Sequence, residues 1–81
     1  MDGMTIKLAY PISVSGRQLD ELSMRRPKVR DRLSSEKHSG NEAEKEIRFI
    51  ANLCELAPNE IEELDMADYV RVQEALAGFF T

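Results

Sequence analysis

The chain has few of the residue types that catalysis or metal binding requires. Its 81 residues include one cysteine, Cys54, and one histidine, His38. A single cysteine cannot form an internal disulfide, and these two residues fall short of the about four ligands that a structural zinc site takes. The four glycines are isolated from one another, so there is no glycine-rich phosphate loop. The composition favours a reducing, cytoplasmic setting in which packing or association provides stability.

Long apolar runs are also missing, and the charge is uneven. No apolar run approaches the roughly 20 residues that cross a bilayer, so no membrane partner is expected.

Residues 1–32 carry seven Lys/Arg and four Asp/Glu, net +3, whereas residues 33–81 carry four Lys/Arg and eleven Asp/Glu, net −7; the sum is −4. An acidic C-terminal part disfavours a nucleic-acid surface there. The basic part suits an anion or an acidic protein.

Alternating apolar and polar residues predict a β-hairpin over residues 4–25. Apolar side chains occupy the even positions from Met4 to Val14, which is the period of a half-buried strand. Pro11 cannot donate to a strand ladder, so the strand is an edge or bends there. Gly16 follows a serine and supplies the turn.

The second strand of the hairpin breaks this alternation. Leu19 and Leu22 have opposite parity, so they cannot both follow one regular face. The break predicts a bulge or a shifted strand exit near residues 20–21.

The rest of the chain is predicted to be helical, in three stretches: a short helix over 27–38, a central helix over 41–56 and a helix pair over 58–80. Pro27 suits the first turn of a helix, where its missing N–H costs little. Asn41 followed by Glu44 is a capping signal, and Asp65 is the expected cap of the last helix. The sequence therefore predicts one α+β domain over residues 1–81, a β-hairpin followed by three to four helices.

The central helix has more apolar surface than one core face needs. Phe49, Leu53 and Leu56 widen its apolar arc to roughly 200° at about 100° per residue. So wide an arc is typical of a helix that is covered on two sides. In a domain this small, the second cover is expected to come from a partner, and a homo-oligomer would also satisfy it.

The last helix is predicted to bury one apolar stripe, consisting of Met66, Tyr69, Val70, Leu76, Ala77 and Phe80. Val72 and Phe79 lie off this stripe when the residues are placed at helical spacing. We therefore expect Phe80 inside the protein and Phe79 near its surface.

The clusters of ionisable residues have structural explanations. Glu62, Glu63, Asp65 and Asp68 form the densest carboxylate group, but helix starts and a solvated face account for their spacing. His38 lies in a loop rich in serine and glycine, without a partner at any catalytic spacing. Cys54 lies on the apolar stripe and is interpreted as a small core residue. We predict no catalytic residues, no metal site and no cofactor.

A basic segment is the strongest remaining candidate for binding. Its cations are Arg25, Arg26, Lys28, Arg30 and Arg32. The ordinary interpretation is a solvated face. The functional alternatives are docking to an acidic protein surface, or a salt bridge from Arg25 or Arg26 back to the acidic helices.

Several short motifs follow one another in a distinctive order. They are a strand ending in Tyr10-Pro11-Ile12, a Gly16 turn, the segment Leu22-x-Met24-Arg25-Arg26-Pro27-x-Val29-x-Asp31, a variable acidic loop, a helix over residues 47–56, and Leu64-Asp65-x-x-Asp68-Tyr69. In order and spacing, from about residue 6 to residue 80, they resemble the small tail assembly chaperones of contractile-tailed bacteriophages and prophages.

The resemblance implies a protein that is not an enzyme. It implies a factor that binds the long, helical, aggregation-prone tape measure protein before tail tube subunits polymerise around it. Such a factor acts in the host bacterial cytoplasm and is absent from the mature virion. Some members of the family are also made in a frameshift-extended form, which is a further expected partner.

The residues expected to contact the partner combine the apolar arc with the basic segment: Arg25, Arg26, Phe49, Leu53, Leu56 and Phe79. Two other classes of function stay open at this point. One is a small regulatory DNA-binding protein with a helix-turn-helix over residues 58–80, although Arg71 is the only cation of its second helix. The other is a structural component of the tail.

Overall fold

The computed structural model describes residues 3–81 as a hairpin of two strands followed by four helices. The elements are β1 (Gly3–Val14), β2 (Arg17–Arg25), α1 (Val29–Glu36), α2 (Glu42–Cys54), α3 (Pro58–Ile61) and α4 (Met66–Gly78). The strands pair antiparallel in one two-stranded sheet. The predicted α+β class is confirmed. Residues 1 and 2, which the predicted domain includes, lie outside the described residues.

The hairpin contains a bulge that lies in β1. Lys7 is opposite Glu21 and Ile12 is opposite Leu19, so residues 8–11 of β1 face the single residue 20 of β2. The break in parity on β2 therefore signalled an irregularity, but the extra residues belong to the other strand. Pro11 lies among them, where a missing N–H leaves no ladder bond unmade.

The turn between the strands has two residues with positive φ. Ser15 has φ 50° and Gly16 has φ 77°. Two-residue turns of this left-handed kind match the twist of the strands that they join, which is why glycine is favoured there. The predicted turn at this position is confirmed.

One face of the hairpin packs against α2 and α4 to form the core. β2 contacts α2, and β1 contacts α4. The most deeply buried apolar side chains come from the second strand, α2, α3 and α4: Leu22, Met24, Ile50, Leu53, Ile61 and Val72. Burying a side chain of this size contributes roughly 1.5–3 kcal/mol relative to leaving it in water.

Helix α4 buries only part of the predicted stripe, because Leu76 is buried but most of the other members of the stripe are exposed. Val72 and Phe79 are buried, whereas Met66 and Phe80 are each 68% exposed. The expectation that Phe80 lies inside and Phe79 near the surface is therefore wrong. The reason is Asp68, a fully buried carboxylate that turns its own face of α4 towards the sheet.

Helix α1 packs against α2 through polar residues. Within Val29–Glu36, the buried residues are Asp31 and Ser35. Val29 and Leu33 share a face, as their spacing predicts, but they are 79% and 60% exposed. A surface helix ordinarily turns its apolar side chains towards the core. Helix α1 is instead held on the protein by hydrogen bonds.

Candidate partner-binding site

Asp31 attaches α1 to the rest of the protein. Its carboxylate accepts two hydrogen bonds from the Arg25 guanidinium, at 2.9 and 2.8 Å, and one from the side-chain amide of Asn52 at 3.0 Å. It also accepts the backbone N–H of Lys28 at 2.8 Å, at the start of α1. One side chain thereby connects the end of β2, the first turn of α1 and the last turn of α2.

The electrostatics of this contact favour the charged carboxylate. The hydrogen bonds from Arg25 hold the pKa of Asp31 well below its usual range, against the opposing effect of burial. The same pair raises the pKa of Arg25. The sequence allowed a salt bridge from Arg25 or Arg26 to the acidic helices. The observed partner of Arg25 is the nearby Asp31 rather than a residue of the acidic C-terminal part.

Asp68 attaches α4 to the hairpin, as Asp31 attaches α1 to the rest of the protein. Its two oxygens accept the backbone N–H groups of Ala9 and Tyr10, at 2.9 and 3.0 Å, in the β1 bulge. Arg71 donates to the same carboxylate at 2.9 Å and also to the carbonyl of Lys7. The N–H groups of the bulge, with that of Ala9 first, hold the pKa of Asp68 below its usual value. The carboxylate thus satisfies backbone donors that the bulge removes from the strand ladder.

The apolar arc of α2 is only partly covered by the protein itself. Leu53 is fully buried, so it offers no surface to a partner in this conformation. Phe49 and Leu56 are partly buried against the core and keep part of their side chains open. The structure therefore separates three residues that the sequence treated alike.

Two grooves on α2 share Phe49 and Ser35 as lining residues. The first, of about 340 Å³, also includes Ala51, Leu56 and Pro58. The second, of about 300 Å³, is a separate hollow on the side of α4. Since Ser35 belongs to α1, that helix forms part of the wall of both grooves.

The second groove has an apolar floor and a charged rim. Its apolar side chains are Phe49, Leu76 and Phe80. Its charged side chains come from α1 and α2: Arg32, Glu36, Glu42, Lys45 and Glu46. The sequence analysis placed two residues of this groove, Leu76 and Phe80, in the core; Leu76 is buried, whereas Phe80 is exposed. The sequence feature that could have indicated this is the helical spacing between Met66 and Phe80, which places the two residues on the same face.

The arginine and phenylalanine that were predicted to meet a partner contact each other. Arg26 donates to the carbonyl oxygen of Phe79 at 3.1 Å, and its guanidinium carbon lies 5.7 Å from the centre of the Phe79 ring. Because Phe79 is buried, it supplies packing rather than open surface. Arg26 is exposed, so a partner contact by its outer face stays a prediction.

The basic segment forms a hollow of its own. Arg25, Arg26, Pro27, Lys28 and Arg30 line a concave surface of about 570 Å³. Arg25 is committed to Asp31, whereas Arg26, Lys28 and Arg30 are exposed. The hollow therefore offers positive charge to an anionic group, and docking of an acidic partner there stays a prediction.

The residues considered for chemistry are His38, Cys54 and the acidic side chains. Within residues 3–81, no group of three or more His, Cys, Asp or Glu side chains is placed to hold a metal ion. His38 lines the first groove, together with Asp31, Ser34 and Ser35. Cys54 is partly buried against the core, and burial raises the pKa of its thiol to about 11. No helix in the described part of the chain is long and apolar enough to cross a membrane.

Residues 5–81 match the family model of the phage tail assembly chaperone proteins, E, or 41 or 14. The chain belongs to this family. The match covers nearly the whole chaperone, which includes the hairpin, both buried carboxylates and the two grooves. Neither a curated protein nor a solved structure shows a significant match. An assembly chaperone acts by binding, so the family points to a protein without catalytic activity.

Proposed function

We propose that this chaperone binds the tape measure protein of its own phage or prophage while the tail is being built. The binding takes place in the host bacterial cytoplasm, and the chaperone is absent from the mature virion. It is transient and changes no covalent bond. Family membership supports the role in tail assembly. The two grooves on α2 supply a surface that such a role requires.

The observation that carries the proposal is the position of Phe49. It is the one large aromatic side chain that lines both grooves, and it is only partly buried. Pockets that bind ligands typically measure about 300–1,000 Å³, so each groove suits a few side chains of a partner rather than a whole helix. An amphipathic helix meets such sites by inserting apolar anchors at helical spacing.

Co-expression with the tape measure protein tests this function. We expect the chaperone to raise the soluble yield of the tape measure protein and to be recovered with it on affinity purification. The variant Phe49→Gln should lose most of this effect because it removes the apolar side chain common to both grooves. Leu33→Gln is the matched control, because Leu33 is an exposed apolar residue of α1 outside both grooves.

Two results would contradict the proposal. One is the absence of co-purification by the unchanged chaperone over a range of salt concentrations. The other is equal loss in the Phe49 and Leu33 variants, which would separate the effect from the grooves. Urea unfolding followed by circular dichroism verifies that both variants remain folded.

Positive charge in the basic hollow contributes a second part of the proposed interface. Arg26 and Lys28 are exposed there and face no carboxylate partner within 4 Å among the described residues. We expect Lys28→Glu to weaken partner binding at low salt and to have less effect at high salt, because exposed charges are screened. Unchanged binding in that variant at low salt would remove the basic hollow from the interface.

The helix-turn-helix alternative has less support from the geometry. α3 spans only Pro58–Ile61, and Arg71, the single cation of α4, is bound to Asp68 and to the carbonyl of Lys7. A DNA-binding helix needs free cations for the phosphate backbone. Retardation of random duplex DNA at low salt would restore that alternative.

A further inference from the structure

The solvent-facing side of α4 carries an apolar stripe in addition to the stripe that α4 buries. The residues of this α4 seam are Met66, Val70, Gln73, Ala77 and Phe80, separated by four, three, four and three positions. Val70 is 41% exposed, Ala77 is exposed and Gln73 is half-buried, while the two ends of the seam are largely open. The seam is distinct from the buried face that contains Asp68, Val72 and Phe79.

This spacing is the one by which helices pair in coiled coils. Apolar residues that recur at alternating intervals of three and four keep one seam facing a partner helix, and a single polar residue within it sets the register. From Met66 to Ala77 the seam is about 16 Å long at about 1.5 Å per residue, and Phe80 lies two residues beyond the end of α4. The partner that fits is therefore another α-helix, lying along α4.

The side chains beside the seam are acidic. Glu46 of α2 accepts hydrogen bonds from the Tyr69 hydroxyl at 2.6 Å and from the Gln73 amide at 2.8 Å, so its carboxylate lies against the seam. Burial, with that bond to Glu46, raises the pKa of Tyr69, which keeps the hydroxyl a donor. Glu74 occupies the position next to Gln73, and Glu42 lines the groove at the Phe80 end.

The cations near the seam do not balance these carboxylates. Lys45 lines the same groove but lies 3.3 Å from Glu36, and Arg32 is the other cation there. A second copy of this chain would bring the same acidic flanks to the seam, and like charges across a helix pair oppose pairing. A helix that carries Lys or Arg beside its apolar positions has the complementary charge.

We propose that the α4 seam docks an amphipathic α-helix of the partner, one whose apolar residues follow a heptad repeat and whose flanking positions are basic. The proposal rests on the proposed function and specifies it, since it names the class of segment that the chaperone recognises in its client. Phe80 joins the seam to the second groove, so a docked helix would contact α4 and Phe49 together.

Two designed peptides test the chemistry of this surface. Both have leucine at the heptad seam positions over about four heptads, and they differ only in carrying lysine or glutamate at the flanking positions. Titration of labelled peptide into the chaperone, followed by fluorescence anisotropy, should show binding of the lysine peptide at least tenfold tighter. Equal affinity for both peptides, or preference for the glutamate peptide, would overturn the proposal.

A pair of variants tests the location. Val70→Asp places a charge in the middle of the seam and should weaken binding of the lysine peptide at least tenfold. Leu33→Asp places the same charge on the exposed face of α1 and should leave binding within twofold. Equal effects of the two variants would refute the assignment to α4. So would a shift from dimer to monomer in the Val70 variant alone, measured by sedimentation, because that result assigns the seam to a second copy.

The same variants separate this proposal from the proposed function. If the tape measure protein co-purifies with the unchanged chaperone and equally with the Val70 variant, the chaperone function stands and the seam proposal fails. If co-purification is lost in the Val70 variant and kept in the Leu33 variant, both the proposed function and the seam proposal are supported. If the unchanged chaperone does not recover the tape measure protein, the proposed function fails, and binding of the lysine peptide alone decides the seam.

Discussion

The replacement Asp31→Ala tests whether α1 is held in place by a single carboxylate. The variant loses four hydrogen bonds, of which two come from Arg25 and one each from Lys28 and Asn52. A hydrogen bond to a charged group contributes roughly 1.5–3 kcal/mol. The three donor residues are all half or fully exposed, so water replaces much of what each donor loses. We therefore expect a loss of about 3 kcal/mol in the free energy of unfolding.

This loss is large for a protein of this size. At roughly 0.05–0.15 kcal/mol per residue, 81 residues correspond to about 4–12 kcal/mol of total stability. The effect should also be local, because Val29 and Leu33 provide α1 with no apolar anchorage. We expect amide hydrogen exchange over residues 29–36 to accelerate more than exchange over α2.

The same variant has a defined dependence on pH. The folded-state pKa of Asp31 is depressed, so its contribution is fully present above the unfolded value of about 4 and is lost as the pH falls below that value. The difference in unfolding free energy between wild type and Asp31→Ala should therefore be greatest at neutral pH and smaller at about pH 3.

Urea unfolding followed by far-UV circular dichroism measures these differences, and Ser34→Ala, an exposed change in the same helix, is the control. The reasoning fails if Asp31→Ala stays within about 0.5 kcal/mol of wild type, the range of ordinary surface substitutions. It also fails if α1 keeps its protection from exchange.

Three further predictions concern packing, capping and reactivity. Ile50→Ala, at a fully buried position, should cost about 3–4 kcal/mol in urea unfolding, and a loss below about 1 kcal/mol would contradict the described core. Asn41→Ala removes the acceptor of the Glu44 N–H and should cost about 1 kcal/mol, whereas the exposed change Asn59→Ala should cost less. Because burial raises the pKa of Cys54 to about 11, iodoacetamide should label it slowly at neutral pH and faster in urea; equal rates would show an open thiol.

Local patterns were sufficient to predict the class of fold. The alternation of apolar and polar residues predicted the strand that contains Ile6 and Ile12. The capping residues predicted where α2 and α4 begin. Asn41 accepts from Glu44, and Asp65 accepts from the N–H of Ala67, as the sequence indicated. These contacts join residues that are close in sequence, so a short window contains all the information that they need.

The two buried carboxylates could not be predicted in the same way. An aspartate in the first turn of a helix has the same sequence pattern whether it interacts with its own helix or with a distant donor. Asp68 was interpreted as part of a solvated helix start, but its donors are the N–H groups of Ala9 and Tyr10, nearly the whole domain away. These N–H groups are free to donate to Asp68 because they lie in the β1 bulge. The break in parity occurs in β2, so the sequence indicated the bulge on the other strand.

The error in α4 concerns the choice between two apolar stripes. The helix has one apolar stripe through Met66 and Phe80 and another through Val72 and Phe79. The first stripe was assigned to the core from helical spacing, and Asp68 was separately assigned to a helix start and a solvated face. Of the residues predicted to contact a partner, Phe49 and Leu56 line open grooves, whereas Leu53 and Phe79 are buried; their contact with a partner stays a prediction.

The bond between Asp68 and the β1 bulge also has a consequence for biosynthesis. The N–H of Ala9 donates to a carboxylate 59 positions later in the chain. While the protein is being translated, the hairpin emerges from the ribosome long before its acceptor exists. Until that acceptor arrives, the bulge has only water to bond with, so the late closure of this long-range contact is expected to limit the rate of folding.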